Sequence, residues 1–504
     1  MTTVRSTNPR TGDEVPTKST ETTEPELQDI MERASVASAR LGAVSPSVQA
    51  AALRSVASAL HNERTSLAEL ADRETALGLP RLEGEVGRAA AQFELFASVV
   101  DDGEFLEATI DHADPDSGQP DVRRVLEPIG PVAVFGASNF PFAFSIAGGD
   151  TASALAAGNA VVAKAHPSHP ATSDASALTI RSALEAAGLP PDSLSVVHGV
   201  EAGAALVQHP RIQAVGFTGS LAGGRALHDL AMSRSSPIPF YGELGSLNPV
   251  VVTPAAAATR GTGIAQGFLE SYTLGVGQFC TKPGIVLVPK SAASGFVEHL
   301  AERIVAHEGG FLLNQSIKRA FRAHLDSLNV DGEPLELLVS QPADTDGTKA
   351  GIALAVVDAD AVDWTASPLA HECFGPFAVV VRYDSIDQAL NVLSALPASL
   401  TATIHAEDGD PDSAAVFAAL RQEAGRVVWN GFPTGVRIGW AMHHGGRYPA
   451  STNPLHTSVG ASSVRRFLRP VAYQGVPDTH LPYSLRDGNP LALPRRVDGQ
   501  RLLP

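Results

Sequence analysis

The sequence is short of cysteine, of basic residues and of long apolar runs, and each shortage excludes a class of protein. Two cysteines among 504 residues cannot build a disulfide framework, so a reducing compartment, the cytoplasm, is expected. Lys and Arg number 37 against 54 Asp and Glu, and the net charge of −17 argues against a general nucleic-acid grip. Because no run reaches about 20 apolar residues, no membrane span is predicted.

The first residues, MTTVRSTNPRTGDEV, are polar, and the apolar core of a secretory signal is not found among them. A hydrophobic content of 44% and a charged content of 18% are typical of a globular enzyme. The length exceeds one compact core, so two or three domains are expected.

Strands and helices alternate through most of the chain. Helical periodicity marks residues 26–78, and from residue 131 strands such as PVAVFGAS alternate with helices. This alternation predicts βαβ units on a parallel sheet, with a second α/β region over about 255–435. Two short runs flanking the turn DPDSGQPD predict a protruding hairpin near 105–127, and SVRRFLRPVAY (463–473) predicts an edge strand.

One of the two cysteines, Cys280, lies between Gly-flanked turns in GVGQFCTKPGIVLV. A thiolate is a strong nucleophile, but a thiol with its ordinary pKa near 8.5 needs local help, which Lys282 would give if it pointed inward. The alternative is a small buried apolar side chain, which is what most free cysteines are. That alternative is favoured for Cys373, because its neighbours in HECFGPF indicate packing.

Metal ligands are not indicated by the sequence. There is no CxxC and no Cys/His cluster with zinc spacing. His443 and His444 are adjacent, so their side chains diverge and no metal site is expected. A hydrolase that used Cys280 without redox chemistry would need a histidine beside the thiol, and none is predicted there.

Three further stretches carry candidate chemistry. Glu243 in YGELGSLNPVVV is either a base that activates water or a solvated carboxylate. Asn139 in FGASNFPFAF is either an oxyanion donor or a turn residue. GFTGSLAGGRAL runs from a strand through a Gly-Ser turn into a helix, which offers N–H groups to a phosphate, although it is not GxGxxG.

Together these motifs resemble the aldehyde dehydrogenase superfamily over roughly residues 5 to 470. The motifs that carry the resemblance are SNFPF at Asn139, VVAKAHPSHP at Lys164, GFTGS at 216–220, YGELGSLNPVVV at Glu243, GQFCT at Cys280 and ECFGPF at Glu372. The resemblance implies that Cys280 attacks the aldehyde, that Asn139 and the Cys280 N–H hold the oxyanion, and that Glu243 activates water. Since relatives that transfer the acyl group to coenzyme A lack this base, hydrolysis to the acid is expected.

The resemblance also implies NADP or NAD as cofactor. Its contacts are expected at Lys164, Gly219, Ser220, Glu372 and Phe374. NAD-preferring members often carry Glu three positions after the lysine, where this chain has Pro167. With Ser168 and His169 next to it and no carboxylate to repel a 2′-phosphate, NADP is slightly favoured.

The fold implied by the resemblance is α/β, with a Rossmann-type cofactor domain, an α/β catalytic domain and a small oligomerisation sheet. The domains would be residues 1–242, 243–435 and a tail, 436–504, that returns to the first domain. The hairpin at 105–127 and the strand at 463–473 would form the oligomerisation sheet of a homodimer or homotetramer, which covers strand edges that would otherwise be sticky.

Residues 430–452 and 457–477 resemble those of α-ketoglutarate semialdehyde (2,5-dioxopentanoate) dehydrogenases. These have NADP-dependent fatty aldehyde dehydrogenases among their near relatives. The first substrate needs a cation or N–H donors for its distal carboxylate, and Arg437 is a candidate, with a structural role as its alternative. A fatty aldehyde would need an apolar funnel, which Phe140, Phe142 and Phe144 would line unless they are core.

Overall fold

The computed structural model describes residues 2–328, 335–340 and 347–503. The chain forms two mainly parallel sheets, covered by helices, and a smaller sheet whose strands are mostly antiparallel. This architecture confirms the predicted α/β fold class. Among the described helices, none has both the length and the apolar character needed to cross a membrane.

The first unit has a five-stranded parallel sheet in the order β7-β6-β5-β8-β9. Its helices are Glu24–Leu41 (α1), Pro46–Asn62 (α2), Arg64–Thr75 (α3), Leu79–Asp102 (α4), Gly149–Ala156 (α5), Pro170–Ala186 (α6), Val200–Gln208 (α7) and Leu221–Met232 (α8). Its strands are Thr3–Thr7 (β1), Glu14–Thr20 (β2), Thr109–Asp111 (β3), Val122–Pro128 (β4), Val132–Phe135 (β5), Val161–Lys164 (β6), Leu194–Val197 (β7), Ala214–Thr218 (β8) and Phe240–Glu243 (β9). β1 and β2 pair separately, and β3 and β4 belong to the small sheet.

Composition explains this unit. β5 and most of β6 are apolar and buried, as strands covered on both faces must be. The Ala-rich α5 is buried along nearly its whole length, which lets it pack close to its neighbours. Ser220 caps α8 by accepting a hydrogen bond from the Gly223 N–H, so the helix begins directly after β8.

The second unit has a seven-stranded sheet in the order β13-β15-β16-β11-β10-β17-β18, in which the edge strand β13 alone is antiparallel. Its helices are Pro254–Thr273 (α9), Lys290–Val305 (α10), Gln315–Leu328 (α11), Ile386–Ala395 (α12) and Ser413–Glu423 (α13). Its strands are Val250–Val252 (β10), Ile285–Pro289 (β11), Glu336–Val339 (β13), Ala353–Asp358 (β15), Phe377–Tyr383 (β16), Ser399–His405 (β17) and Ala424–Trp429 (β18), with Gly310–Phe311 (β12) and Lys349–Ala350 (β14) paired apart. The domain limits at residues 242 and 435 stay a prediction.

The small sheet has the order β19-β4-β3-β20-β21 and adds Leu468–Gln474 (β19), Arg495–Val497 (β20) and Gln500–Leu502 (β21). The predicted hairpin is confirmed, since β3 and β4 pair antiparallel. The predicted edge strand starts later than expected, at Leu468. Residues 461–467 are a 3₁₀ helix, because Phe467 is buried in the core and Arg466 turns inward to donate to Asp150 Oδ1 at 2.6 Å.

Candidate active site

A cavity of about 1030 Å³ lies where β5, β8 and β9 end, at the carboxyl edge of the first sheet. This is the edge at which open parallel sheets bind ligands. Its wall brings together nearly all the residues that the sequence analysis singled out. They are Asn139, Lys164, Gly219, Ser220, Glu243, Cys280, Glu372 and Phe374.

A tight loop presents Cys280 to this cavity. Val276 and Gly277 before it have positive φ, and a Cβ on Gly277 would overlap the carbonyl oxygen of Gly375. Behind the loop, the side-chain amide of Asn248 donates to the carbonyls of Cys280 at 2.8 Å and Lys282 at 2.9 Å. The thiol therefore stands on a fixed backbone.

The expectation that Lys282 would help the thiol is wrong. Its buried ammonium donates to three carbonyls, those of Cys373, Gly375 and Phe377, at 2.6, 3.2 and 2.8 Å. Three acceptors use all the protons of an ammonium group, so Lys282 ties two loops together. Cys373 is buried, as its neighbours predicted.

Glu243 ends β9 and is 2% exposed. Its Oε2 accepts hydrogen bonds from Ser458 Oγ at 2.6 Å and from His444 Nε2 at 2.9 Å. Burial favours the neutral acid, but His444, Ser458 and the Cys280 thiol together outweigh it and hold the pKa of Glu243 below its usual range. Glu243 is therefore an ionised carboxylate beside the sulfur, ready to accept a proton.

His444 is the residue that sequence reasoning missed. Its Nε2 lies 3.6 Å from the Cys280 sulfur, so the expectation of no histidine beside the thiol is wrong. The two residues are 164 positions apart, and nothing in the sequence joins them. The adjacent pair His443 and His444 gives no indication of this contact in the sequence.

The thiol itself is held neutral. Burial, then the charge of Glu243 and the hydrogen bond to it, then Glu372, raise the pKa of Cys280 well above its ordinary value, with Arg426 opposing them. A thiolate therefore forms only when a base takes the proton as the sulfur reacts. Glu243, which shares a hydrogen bond with the thiol, is the candidate base, and His444 supports it because its Nε2 donates to Glu243 Oε2.

Asn139 is buried beside this group. Its Nδ2 donates to the carbonyl of Gln278, two residues before Cys280, at 2.8 Å. Its own carbonyl accepts a hydrogen bond from Arg81 Nη2 at 2.8 Å. The amide is thus fixed next to the Cys280 loop, where a second proton of Nδ2 remains to be donated.

The ligand atoms of Glu243, Cys280 and His444 all lie within 4.8 Å of one another. Carboxylate, thiolate and imidazole are the donors of zinc sites, so this trio could hold an ion. An ion bound there would coordinate the Cys280 sulfur and prevent it from acting as a nucleophile. His443, the other half of the pair, does not belong to the group.

At the far part of the cavity, Gly219 and Ser220 form the turn into α8, whose N-terminal N–H groups suit a phosphate. Burial lowers the pKa of Lys164 to about 8, with Glu21 opposing it. Burial raises the pKa of Glu372 to about 7, with Lys282 opposing it. A Cβ at Gly245 would overlap Glu372 Oε2, so a side chain there would displace that carboxylate.

Comparison with known proteins agrees with this geometry. The aldehyde dehydrogenase family profile matches residues 1–468. Alpha-ketoglutaric semialdehyde dehydrogenase 2 of Azospirillum brasilense is 47% identical, covering 90% of this chain and 87% of the relative. Alpha-ketoglutaric semialdehyde dehydrogenase of Acinetobacter baylyi is 43% identical, covering 89% and 86%.

The chain belongs to the aldehyde dehydrogenase family. It therefore oxidises an aldehyde to the acid with NAD or NADP. Among solved structures, 3,6-anhydro-L-galactose dehydrogenase in complex with NAP superposes with a TM-score of 0.80. It covers 94% of this chain and 96% of its own, and at 20% identity the likeness shows the fold.

The cofactor fits the cavity of this aldehyde dehydrogenase. The cavity runs from Lys164 and the Gly219–Ser220 turn to Glu372 and Cys280, so one elongated ligand could contact all of them. Amide groups at the start of α8 suit the pyrophosphate. The half-buried Glu372 carboxylate suits a ribose hydroxyl, and Phe374 offers an apolar wall.

Two residues expected near the adenosine end of the cofactor, Ser168 and His169, form hydrogen bonds within the protein. The Ser168 hydroxyl accepts a hydrogen bond from Asn314 Nδ2 at 2.8 Å, and the His169 ring donates to the Ala137 carbonyl at 2.9 Å. The described cavity wall is formed at this point by His166 and Pro167. Burial, His169 and Lys164 hold the pKa of His166 well below its ordinary value, so it offers a neutral ring.

The residues predicted to bind the substrate differ in their exposure. Arg437 is exposed on the surface. Phe142 is fully buried, so it is core and lines no funnel. Phe140 and Phe144 are partly exposed, with ring centroids 5.1 Å apart.

Proposed function

We propose that this aldehyde dehydrogenase oxidises α-ketoglutarate semialdehyde to 2-oxoglutarate. The observation that carries the proposal is the 47% and 43% identity, over nine-tenths of the chain, to two enzymes named for that substrate. The contacts among Cys280, Glu243 and His444 support the chemistry.

In the first half of the reaction the thiol proton passes to the Glu243–His444 pair, and the sulfur attacks the aldehyde carbon. The carbonyl oxygen becomes an oxyanion, which the Asn139 amide and the Cys280 N–H would hold. One such donor commonly contributes about 10²–10³ in rate. NAD or NADP, which Lys164, the Gly219–Ser220 turn and Glu372 would hold, would supply the acceptor for the hydride of the tetrahedral carbon, so that a thioester remains on Cys280.

In the second half Glu243, having released the thiol proton to solvent, takes a proton from water as the water oxygen attacks the thioester carbon. The carbon–sulfur bond breaks, the acid leaves, and the proton held on Glu243 returns to the sulfur, which restores the thiol. Glu243 can serve both halves because its pKa is held low by His444 and Ser458, against burial. Its Oε1 is buried without a partner among the described residues, so one oxygen remains for the water.

We favour NADP over NAD. Pro167 occupies the position where NAD-preferring members often carry a glutamate, and Pro167 and His166 line the cavity there. A 2′-phosphate would meet no carboxylate from that position, and the His166 ring offers a hydrogen-bond donor.

We also propose a cytoplasmic homodimer or homotetramer assembled through the small sheet. Both cysteines are free, which suits a reducing compartment. The edge strand β19 has exposed residues along its length, and no described strand pairs with its outer side, the kind of edge that pairing with another subunit would cover.

The test is a kinetic panel of α-ketoglutarate semialdehyde, succinic semialdehyde and a long-chain aldehyde, each with NAD⁺ and NADP⁺. We expect kcat/KM for the first to exceed the others by about tenfold or more. Comparable values for the three aldehydes would reject the substrate, and a preference for the long-chain aldehyde would indicate a fatty aldehyde dehydrogenase.

A second activity is favoured by one observation, the 3.6 Å approach of His444 to the Cys280 sulfur. A thiol beside a histidine and a carboxylate can hydrolyse an activated ester without redox chemistry. We expect slow hydrolysis of p-nitrophenyl acetate in the absence of cofactor, lost in Cys280→Ser. Hydrolysis that persisted in this variant would place it at another site.

A further inference from the structure

Beside Cys280, outside the described wall of the cofactor cavity, lies a group that we name the arginine–aromatic cluster. Its members are Arg81, Arg88, Phe140, Phe144 and Phe279. Both arginines come from α4, two helical turns apart, so they share one face of that helix. The cofactor chemistry described above uses neither guanidinium.

Contacts lead from this cluster to the sulfur. The Arg88 guanidinium lies 5.9 Å from the centroid of the Phe144 ring, and that ring is 6.2 Å from the ring of His444. His444 in turn contacts Cys280. Burial lowers the pKa of Arg88, and the charges of Glu85 and Cys280 oppose this, so the guanidinium is within electrostatic reach of the thiol.

Arg88 has hydrogen-bond donors that no described residue uses. Its Nε and Nη2 are buried and have no acceptor among the described residues. These two groups form one edge of the guanidinium, the edge that binds a carboxylate side-on through two parallel hydrogen bonds. Leaving a buried cation without an anionic partner is costly, which favours a ligand that brings one.

Among the described residues, no side chain accepts a hydrogen bond from that edge of Arg88. Glu85 directs Oε1 to the backbone N–H groups of Phe142 and Ala143, at 2.8 and 3.1 Å, its Oε2 is buried without a partner in the described part of the chain, and burial raises its pKa to about 7. Arg81 has one unpartnered donor, Nη1, but its Nη2 donates to the Asn139 carbonyl and its guanidinium lies over the rings of Phe140 and Phe279. Its role is to hold the catalytic loops.

We propose that Arg88 binds the carboxylate at the end of the substrate remote from the aldehyde. This rests on the proposed function, because it assumes an aldehyde that carries a distal carboxylate. In α-ketoglutarate semialdehyde the two ends are four carbon–carbon bonds, about 5 Å, apart. Such a substrate would extend from Cys280 along Phe144 to Arg88.

Arg426 of β18 assists from the second unit. Its Nη1 and Nη2 donate to the carbonyls of Gly435 and Pro433 at 3.0 and 2.5 Å, and its Nε is buried without an acceptor among the described residues. Burial lowers the pKa of Arg426 and the charge of Cys280 opposes this, so the guanidinium is within electrostatic reach of the same thiol. Two cations near the substrate explain selection of an anionic aldehyde better than an apolar funnel does.

The test compares α-ketoglutarate semialdehyde with pentanal, an uncharged aldehyde of the same chain length. In Arg88→Gln we expect kcat/KM for the semialdehyde to fall about 100-fold, as when a charged partner of a carboxylate is removed, while the value for pentanal changes less than about threefold. Arg88→Lys keeps the charge and loses the two-pronged edge, so it retains part of the preference. Arg54→Gln, at an exposed arginine paired with Asp101, is the matched control and changes neither value.

The outcomes separate the two proposals. If the wild-type enzyme prefers pentanal, the proposed substrate and the proposed role of Arg88 are both rejected. If the wild type prefers the semialdehyde and Arg88→Gln keeps the same ratio, the role of Arg88 alone is rejected. A folded Arg88→Gln protein that turns over neither aldehyde is titrated calorimetrically with glutarate, where weakened binding supports the proposal and unchanged binding overturns it. If Arg88→Gln does not fold, the ratio in Arg88→Lys decides in the same way.

Discussion

Two regions of the protein border Cys280, and they are made of different kinds of groups. On the cofactor side, the cavity wall contains turns at strand ends, such as Gly219–Ser220 and Gly245, where backbone groups and the lack of a side chain matter. On the other side, the arginine–aromatic cluster consists of long side chains from α4 and from the Asn139 and Cys280 loops. The backbone-lined cofactor side suits a cofactor that many enzymes share. The arginine–aromatic cluster is made of side chains, so single substitutions can change it.

Charged groups around the thiol act on its pKa with opposite sign. After burial, the carboxylates Glu243 and Glu372 of the cavity wall raise the pKa of Cys280, whereas Arg426 lowers it. The sulfur therefore stays protonated until substrate arrives. A thiol kept neutral is protected from oxidation and alkylation, because the thiolate is the reactive form.

Replacing the sulfur tests whether both sides serve one atom. In Cys280→Ser we expect hydride production to fall by about 10³-fold or more, since an alcohol is a far weaker nucleophile beside this base. Stopped-flow absorbance of the reduced cofactor measures the loss. Cofactor binding, followed by fluorescence titration, stays unchanged because Lys164, the Gly219–Ser220 turn and Glu372 remain in place. A normal rate in the variant would remove Cys280 from the role of nucleophile.

The cofactor side could be predicted from the sequence because its parts are short motifs at strand ends. A Gly-Ser turn after a strand and an acid before one are each ambiguous alone, and it is the resemblance to the aldehyde dehydrogenase superfamily that predicts Gly219, Ser220 and Glu243, all of which lie in the cavity wall. The fold was predicted for a similar reason, because buried parallel strands and helices have periodicities that a single sequence displays.

The other side could not be predicted, because its residues meet only in the folded chain. His444 comes from a loop 164 positions after Cys280, and Arg88 comes from a helix whose sequence indicates only amphipathic packing. Lys282 failed for a related reason. Lys282 is two positions from Cys280 in the sequence, so its charge was expected to stabilise the thiolate. In the fold its ammonium group instead donates to three carbonyl groups.

His444 links the two sides, so its removal tests whether they are coupled. We expect His444→Ala to lower kcat about 100-fold, the size of a general acid–base contribution. His444 lowers the pKa of Glu243 against burial, so without it that pKa rises and the carboxylate is lost at higher pH. The acid limb of the pH–rate profile should therefore move to higher pH. His443→Ala is the matched control, and a variant with reduced kcat but an unmoved acid limb would contradict the coupling.

The opposite effects on the thiol give the smallest and most direct prediction. Glu243→Gln removes a charge and an acceptor that both raise the pKa of Cys280, so the pKa falls and more thiolate is present at pH 7.5. One pKa unit corresponds to about a tenfold change, and we expect alkylation by iodoacetamide to accelerate by about that factor. Glu372→Gln should accelerate it less, because its effect is the weaker of the two, and Arg426→Gln should slow it. Mass spectrometry of the Cys280 peptide follows each rate. If all three variants changed the rate in the same direction, access to the sulfur, and not the charge on its two sides, would control its reactivity.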